Sequence, residues 1–131
     1  MIERSDERIK ETGEVFTPAE LVNEVLDRMD IDWDDNTKTF IDPACGDGNF
    51  LVEVNRRLLE AGHDKQHILE NMIFGIDLMP DNVERCIDRL KGIEYNHNIV
   101  QFNTLEWDGH SWPPKKCFTT LEGWFNDEFK E

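Results

Sequence analysis

Residues 40–50 read FIDPACGDGNF and constrain the fold of this chain more than any other segment. Phe40 and Ile41 belong to a short apolar strand, Gly46 and Gly48 follow in a short loop, and an apolar pattern with helical spacing begins directly after them. A strand, a glycine loop and a helix in this order form the repeating unit of a parallel α/β sheet. Because ligands of such sheets bind at the carboxyl ends of the strands, the loop is a candidate binding site.

The rest of the chain repeats this alternation of strand and helix. Strands are predicted at 39–42, 72–77 and 98–102, and helices at 18–29, 49–61, 63–71 and from residue 80 onward. Weaker patterns predict a fourth strand at 117–121 and a helix at 122–129. The expected fold class is therefore α/β, with an incomplete parallel sheet of about three to four strands and flanking helices.

The first helix begins with a recognisable capping pattern. Thr17 is predicted as the N-cap, Pro18 as the first helical residue and Glu20 as the third, which makes a capping box with proline. Its apolar face is expected to consist of Leu21, Val22, Val25, Leu26 and Met29. Residues 1–13 are predicted to form a flexible charged lead-in, and residues 14–131 a single domain.

The chain is strongly acidic, with 14 basic and 29 acidic residues and a net charge of −15. Nucleic-acid affinity depends largely on Lys and Arg that neutralise phosphates, so the chain is not expected to bind DNA tightly by itself. The simplest interpretation of the acidity is solubility. A more specific one is a surface that meets a basic partner or imitates nucleic acid.

Two further features bound the class of protein. No run approaches the ~18 apolar residues of a membrane span and the first residues are polar, so a cytoplasmic protein is expected. Cys45, Cys86 and Cys117 are too widely spaced for a zinc-binding pair or a disulfide framework, and no metal site is predicted.

The chemistry of the glycine loop narrows its ligand. Gly46 and Gly48 allow the backbone to approach a ligand closely, but position 51 is Leu51, so the third glycine of a dinucleotide fingerprint is missing. Asp42 and Asp47 place negative charge beside the loop, which disfavours phosphate and favours a ligand with a positive centre. S-adenosylmethionine carries both an ammonium and a sulfonium group.

Asp77 is the second candidate site residue, because it ends the second predicted strand. Doubly wound nucleotide folds place an acidic residue there to accept hydrogen bonds from ribose hydroxyls. The alternative is that Asp77 only caps the helix that begins near Pro80.

Three runs, GEVFTPAELV, DPACGDGNF and FGIDLMPDN, occur in this order within residues 13–105. Together they resemble adenine-specific DNA methyltransferases that modify the exocyclic amino group. The resemblance implies a Rossmann-like methyltransferase fold, with S-adenosylmethionine as cofactor. The cofactor contacts it implies are Phe16, Thr17, Pro18, Asp42, Ala44, Cys45, Gly46, Gly48, Phe50, Asp77, Leu78, Phe102 and Asn103.

The same resemblance assigns roles to these residues. Residues 16–18 would contact the cofactor, and Asp42 with residues 44–48 would hold its methionine part. Asp77 and Leu78 would hold ribose and one face of adenine. Phe102 would cover the other face, and Asn103 would accept from the adenine amino group. The family usually has Asp at that last position, so the uncharged Asn103 should make a weaker contact.

The catalytic motif of the family is not recognisable in this sequence. That motif is an Asn, Asp or Ser followed by Pro-Pro and an aromatic residue, and it polarises and stacks on the flipped base. The only Pro-Pro pair here has Trp112 before it and Lys115 after it, so no catalytic residue is assigned. The expected protein is thus the cofactor-binding part of such an enzyme, truncated before this motif and inactive alone or dependent on a partner.

Two alternatives are kept. One is a non-catalytic S-adenosylmethionine-binding or regulatory module, and the other is an acidic interaction protein of DNA-mimic or anti-restriction type. The family's fourth strand lies beside the first, so without it the strand at 39–42 would be an exposed edge. A homodimer or a partner chain is expected to cover that edge.

Overall fold

The computed structural model describes residues 17–115 and contains one parallel sheet. Its strands are β1 (Phe40–Asp42), β2 (Ile73–Asp77) and β3 (Asn98–Gln101), paired in the order β1-β2-β3. All three strands were predicted at these places, and the expected incomplete Rossmann-like α/β fold is confirmed. The predicted lead-in at 1–13, the strand at 117–121 and the helix at 122–129 lie outside the described residues.

Three longer helices connect and cover the strands: α1 (Ala19–Arg28), α2 (Asn49–Glu60) and α4 (Pro80–Leu90). Helix α2 contacts both α1 and α4 and packs on the sheet. A Cβ built on Gly75 would come within 2.7 Å of Leu51 Cδ1 and 3.1 Å of Ile99 Cδ1. The glycine in β2 therefore lets α2 lie directly on the strands. The core around this contact includes Val54, Leu58, Ile68, Met72, Ile73, Val83 and Leu90.

Helix α1 differs from its predicted start. It begins at Ala19, its N-cap is Pro18, and no side chain caps it, whereas Thr17 and Glu20 had been expected to form a capping box. The backbone at Pro18 is extended, so Thr17 lies outside the helix, where its carbonyl oxygen accepts a hydrogen bond from Asn49. The predicted apolar face is narrower than expected: Val22 and Leu26 are buried, but Leu21 and Met29 are exposed.

The segment before β2 is helical, as expected, but of two kinds. A single turn of α-helix, α3 (Lys65–His67), is capped by the Asp64 side chain and continues directly into a π-helix, Ile68–Met72. Ile68, Leu69 and Met72 are all buried.

The residues after β3 begin with a short 3-10 helix, Thr104–Glu106. Beyond it, Trp112 packs edge-on against both Trp107 and Phe74, and its indole nitrogen donates to Asn98 Oδ1 at 3.1 Å. Trp112 thus packs against the sheet, and Trp107 packs on Trp112. Among residues 17–115 no helix is long and apolar enough to cross a membrane.

Candidate cofactor-binding site

The loop at residues 43–48 joins β1 to α2 at the carboxyl edge of the sheet. It is held in place by backbone hydrogen bonds: the Cys45 amide donates to Ile76 O at 2.9 Å, and the Gly48 amide donates to Cys45 O at 2.9 Å. Asp42 Oδ1 accepts from the Ala44 amide at 3.1 Å. The loop is therefore a defined turn beside β2, as the strand–loop–helix pattern predicted.

Left-handed backbone conformations explain both loop glycines. Gly46 has a φ of 55° and Gly48 a φ of 96°, a region that residues with a Cβ seldom occupy. At Gly48 an added Cβ would also lie 2.7 Å from Cys86 Sγ in α4. The second glycine is thus required by the packing of α4 as well as by the turn.

The two described cysteines, Cys45 and Cys86, lie buried beneath this loop. A hydrogen bond to the Cys86 thiol and burial raise the pKa of Cys45 far above its usual range. Cys45 therefore stays a thiol at neutral pH and is not a nucleophile. Since its side chain is 5% exposed, it could contact a ligand chiefly through its backbone.

The carboxylate of Asp77 connects the loop to α4. Its Oδ1 accepts from the Gly46 amide at 3.1 Å, while its Oδ2 accepts from the Met79 amide and from Asn82 Nδ2, each at 2.9 Å. These bonds use three of the roughly four acceptor positions of a carboxylate. Asp77 thus braces the loop and the start of α4, and these three bonds leave one acceptor position of its carboxylate unused.

Asp42 lies near enough to Asp77 for the two carboxylates to repel each other. Burial raises the pKa of Asp42 above its usual value, the negative charge of Asp77 raises it further, and the Ala44 amide partly opposes both effects. Within residues 17–115 neither carboxylate forms an ion pair with a basic side chain. The site therefore carries negative charge that a cationic ligand would neutralise.

Asp47 does not contribute to that charge as the sequence suggested. It is 2% exposed, and its Oδ1 lies 3.3 Å from Arg89 Nη1 in α4. The negative charge expected beside the loop is therefore that of Asp42, because Asp47 forms an ion pair with Arg89.

Leu78 follows Asp77 in the chain, and Phe102 is hydrogen-bonded to Asp77 from the neighbouring strand. The Phe102 amide donates to Asp77 O at 3.0 Å, which continues the pairing of β2 and β3 beyond the last strand residue. Leu78 is 48% exposed and Phe102 is half-buried, so both can offer apolar surface to a ligand. Asn103 caps the 3-10 helix, because its side chain accepts from the Leu105 amide at 3.1 Å. Its amide oxygen has a second lone pair for another donor.

The remaining predicted contact residues do not all lie beside the loop. Phe16 lies outside the described residues. Thr17 is held near the loop, because its carbonyl oxygen accepts from Asn49 Nδ2 at 2.7 Å, and Pro18 follows it. Phe50 instead lines a groove of about 440 Å³ along the edge of β1, together with Met29 and Ile41. Phe50 is therefore better placed to support β1 than to contact a ligand in the loop.

Three polar residues of the site were missed by the sequence analysis: Asn49, Asn82 and Arg89. Arg89 and Asn49 form a hydrogen bond across 40 positions of the chain, which no local pattern indicates. Asn82 is a buried polar side chain. The one local signal was the spacing of Asp77 and Asn82, which lie five positions apart at the end of β2 and the start of α4.

Comparison with known proteins identifies several similar sequences. The family model described as N-6 DNA Methylase matches residues 1–130. The methylase subunit of the type I restriction enzyme MpnII from Mycoplasma pneumoniae is 33% identical over an alignment of 105 residues, and the match covers 77% of this chain and 19% of that protein. The methylase subunit of the type I restriction enzyme MjaVII from Methanocaldococcus jannaschii is 43% identical over 44 residues, 34% of this chain and 7% of that protein.

A solved structure agrees in fold. The crystal structure of a modification subunit of a putative type I restriction enzyme from Vibrio vulnificus superimposes with a TM-score of 0.56 and 23% identity, over 72% of this chain and 20% of that one. The chain spans about a fifth of the length of this structure and of the Mycoplasma relative.

Proposed function

The chain belongs to the family of adenine-specific N-6 DNA methylases, and on that premise we propose that the site at the carboxyl edge of its sheet binds S-adenosylmethionine. The observation that carries this proposal is that Asp42 and Asp77, beside a glycine loop, form no ion pair with a basic side chain among residues 17–115. An ammonium or sulfonium group would neutralise their negative charge, whereas a phosphate would be repelled.

The contacts around the site suggest how the cofactor would lie. The methionine end would meet Asp42 and the backbone of residues 44–48. The ribose would use the remaining acceptor position of Asp77, and adenine would lie between Leu78 and Phe102. Asn103 would accept from the adenine amino group through the second lone pair of its amide oxygen.

In the wider reaction this chain would be the cofactor-binding part of an enzyme that methylates adenine in DNA for a restriction-modification system. The family resemblance supports the reaction, while the lack of a recognisable catalytic motif in the sequence supports dependence on another polypeptide or partner subunit. The net charge of −15 also supports dependence on a partner, because another component would have to bind the phosphate backbone of DNA.

We place the partner at the free edge of β1. Among the described residues β1 pairs with β2 alone, and the groove beside it is lined by Leu26, Met29, Ile41 and Phe50, among others. Strand edges of this kind are normally covered. The proposal is a homodimer or a partner chain at this edge. Sedimentation of a single monomeric species from micromolar to millimolar concentration would contradict the homodimer.

Acidity supports one competing function, an interaction protein of DNA-mimic type that retains the fold without using the cofactor. Isothermal titration calorimetry with S-adenosylmethionine distinguishes the two. Binding is expected for the methylase-type module, and the absence of both heat and thermal shift at millimolar ligand would leave only the interaction protein.

A matched pair of variants tests the site itself. Asp42→Asn keeps the acceptor for the Ala44 amide and removes the charge, so it should weaken binding about tenfold or more, the scale of a hydrogen bond to a charged group. Asp34→Asn makes the same change in an exposed turn and should leave affinity unchanged. Equal affinities for Asp42→Asn and the wild type would refute the proposed position of the ligand.

Methyl transfer is tested separately, with tritiated S-adenosylmethionine and adenine-containing duplex DNA. The chain alone is expected to bind the cofactor and transfer no methyl group. Transfer by the purified chain would refute the need for a second component while leaving the binding proposal intact.

A further inference from the structure

A polar connection of three residues joins α4, the start of α2 and the segment before α1. Arg89 Nη1 donates to Asn49 Oδ1 at 2.7 Å and to Asp47 O at 3.1 Å. Asn49 Nδ2 in turn donates to Thr17 O at 2.7 Å. We call Arg89, Asn49 and Thr17 the latch, because together they tie Thr17, two residues before α1, to the glycine loop.

The orientation of the Asn49 amide is determined by its two partners. A guanidinium only donates and a carbonyl oxygen only accepts, so the amide oxygen must face Arg89 and the amide nitrogen must face Thr17. Each link of the latch therefore depends on a different atom of one side chain, and the two links can be separated by mutation.

We propose that Asn49 and Arg89 are positioning residues for cofactor binding, acting by holding Thr17 against the loop; this inference rests on the proposed S-adenosylmethionine site. Helix α1 lacks a side-chain cap, so within residues 17–115 the hydrogen bond from Asn49 is the side-chain anchor of Thr17. If the segment is docked only part of the time, the apparent dissociation constant rises by the inverse of the docked fraction.

The Asn49→Asp variant cuts one link and keeps the other. A carboxylate still accepts from Arg89 but has no donor for the Thr17 carbonyl. Asn49 is the first residue of α2, where negative charge favours the helix, so the variant is expected to fold. Added negative charge would by itself attract a cationic ligand, and weaker binding would therefore report the lost link. Asn49→Ala removes both links without adding charge.

Hydrogen exchange provides a measurement that needs no ligand. The Val22 amide donates to Pro18 O in the first turn of α1, and its exchange should be about threefold to tenfold faster in Asn49→Asp, the scale of one lost hydrogen bond. The dissociation constant for S-adenosylmethionine should rise by a similar factor in both Asn49 variants. Asn36→Asp, in an exposed turn, is the control for added charge and should change neither quantity.

Each outcome decides between the two proposals. Unchanged Val22 exchange in both Asn49 variants would overturn the latch. Faster exchange with unchanged affinity would show that Thr17 is anchored there but has no part in binding. A wild-type chain that does not bind S-adenosylmethionine would refute the proposed function, and the exchange result would still stand as a test of the anchor.

Discussion

Replacing Gly48 by alanine should destabilise the fold through two separable costs. The residue precedes α2 with a φ of 96°, and an added Cβ would lie 2.7 Å from Cys86 Sγ and 3.3 Å from Cys86 Cβ. The left-handed backbone costs a residue with a Cβ about 1–2 kcal/mol. Overpacking against a side chain costs about 1–3 kcal/mol more, and the Cys86 thiol is fully buried with little room to move.

The expected loss is therefore about 2–5 kcal/mol in the free energy of unfolding, a large part of the ~5–15 kcal/mol that stabilises a typical domain. Gly62 provides the matched control. Its φ is 100°, but no atom lies within 4 Å of its added Cβ. Gly62→Ala should thus show the backbone cost of about 1–2 kcal/mol without the steric one.

Urea denaturation followed by circular dichroism measures both costs, provided that the m-values agree among variants. In the double variant Gly48→Ala/Cys86→Ala the closest contact is removed, so about 1–3 kcal/mol of the loss should be recovered relative to additivity. Cys86→Ala should not rescue Gly62→Ala. The reasoning would be refuted if Gly48→Ala cost no more than Gly62→Ala, or if the double variant were additive.

The remaining predictions concern pH. Burial raises the pKa of Asp42 above its usual 3.8, so the folded chain binds the Asp42 proton more tightly than the unfolded chain does. Asp42 therefore lowers the free energy of unfolding at pH values above its raised pKa. The urea midpoint of the wild type relative to Asp42→Asn should therefore rise as pH falls from the raised pKa toward 3.8, and a constant difference would contradict this. For His97 the sign is opposite. Burial lowers its pKa below 6.5, so its contribution to stability should decrease as pH falls through 6.5, and His97→Gln should remove that dependence.

Features encoded by neighbouring residues were predictable from the sequence. Val83, Ile87 and Leu90 recur at helical spacing, and the structure has α4 there; the short apolar run MIFGID likewise gave β2. The start of α1 was not predicted correctly, although Thr17 and Glu20 have the spacing of a capping box. A tertiary contact accounts for the later start of the helix: the Asn49 side chain, 32 positions away, donates a hydrogen bond to the Thr17 carbonyl oxygen.

Charge placement was harder to predict for the same physical reason. Asp42 and Asp47 look equivalent in sequence, each beside the loop, but only Asp42 lacks a basic partner in the described part of the chain. Arg89 lies 42 positions from Asp47, and no local pattern indicates that the two meet. The sequence could predict that the site is negatively charged, but not which of the two carboxylates lacks a basic partner.

Asp77 does not cap α4 as the alternative interpretation expected, because the N-cap is Met79 and no side chain caps this helix. The Asp77 carboxylate instead accepts from the Met79 amide and the Asn82 side chain, and it also receives the Gly46 amide from the loop after β1. That third bond ties the position of the carboxylate to the shape of the loop. A ligand hydroxyl at the fourth acceptor position would therefore contact a group that is already oriented, at little further entropic cost. These three hydrogen bonds are thus the means by which a ribose-binding carboxylate would be held in position beside Asp42.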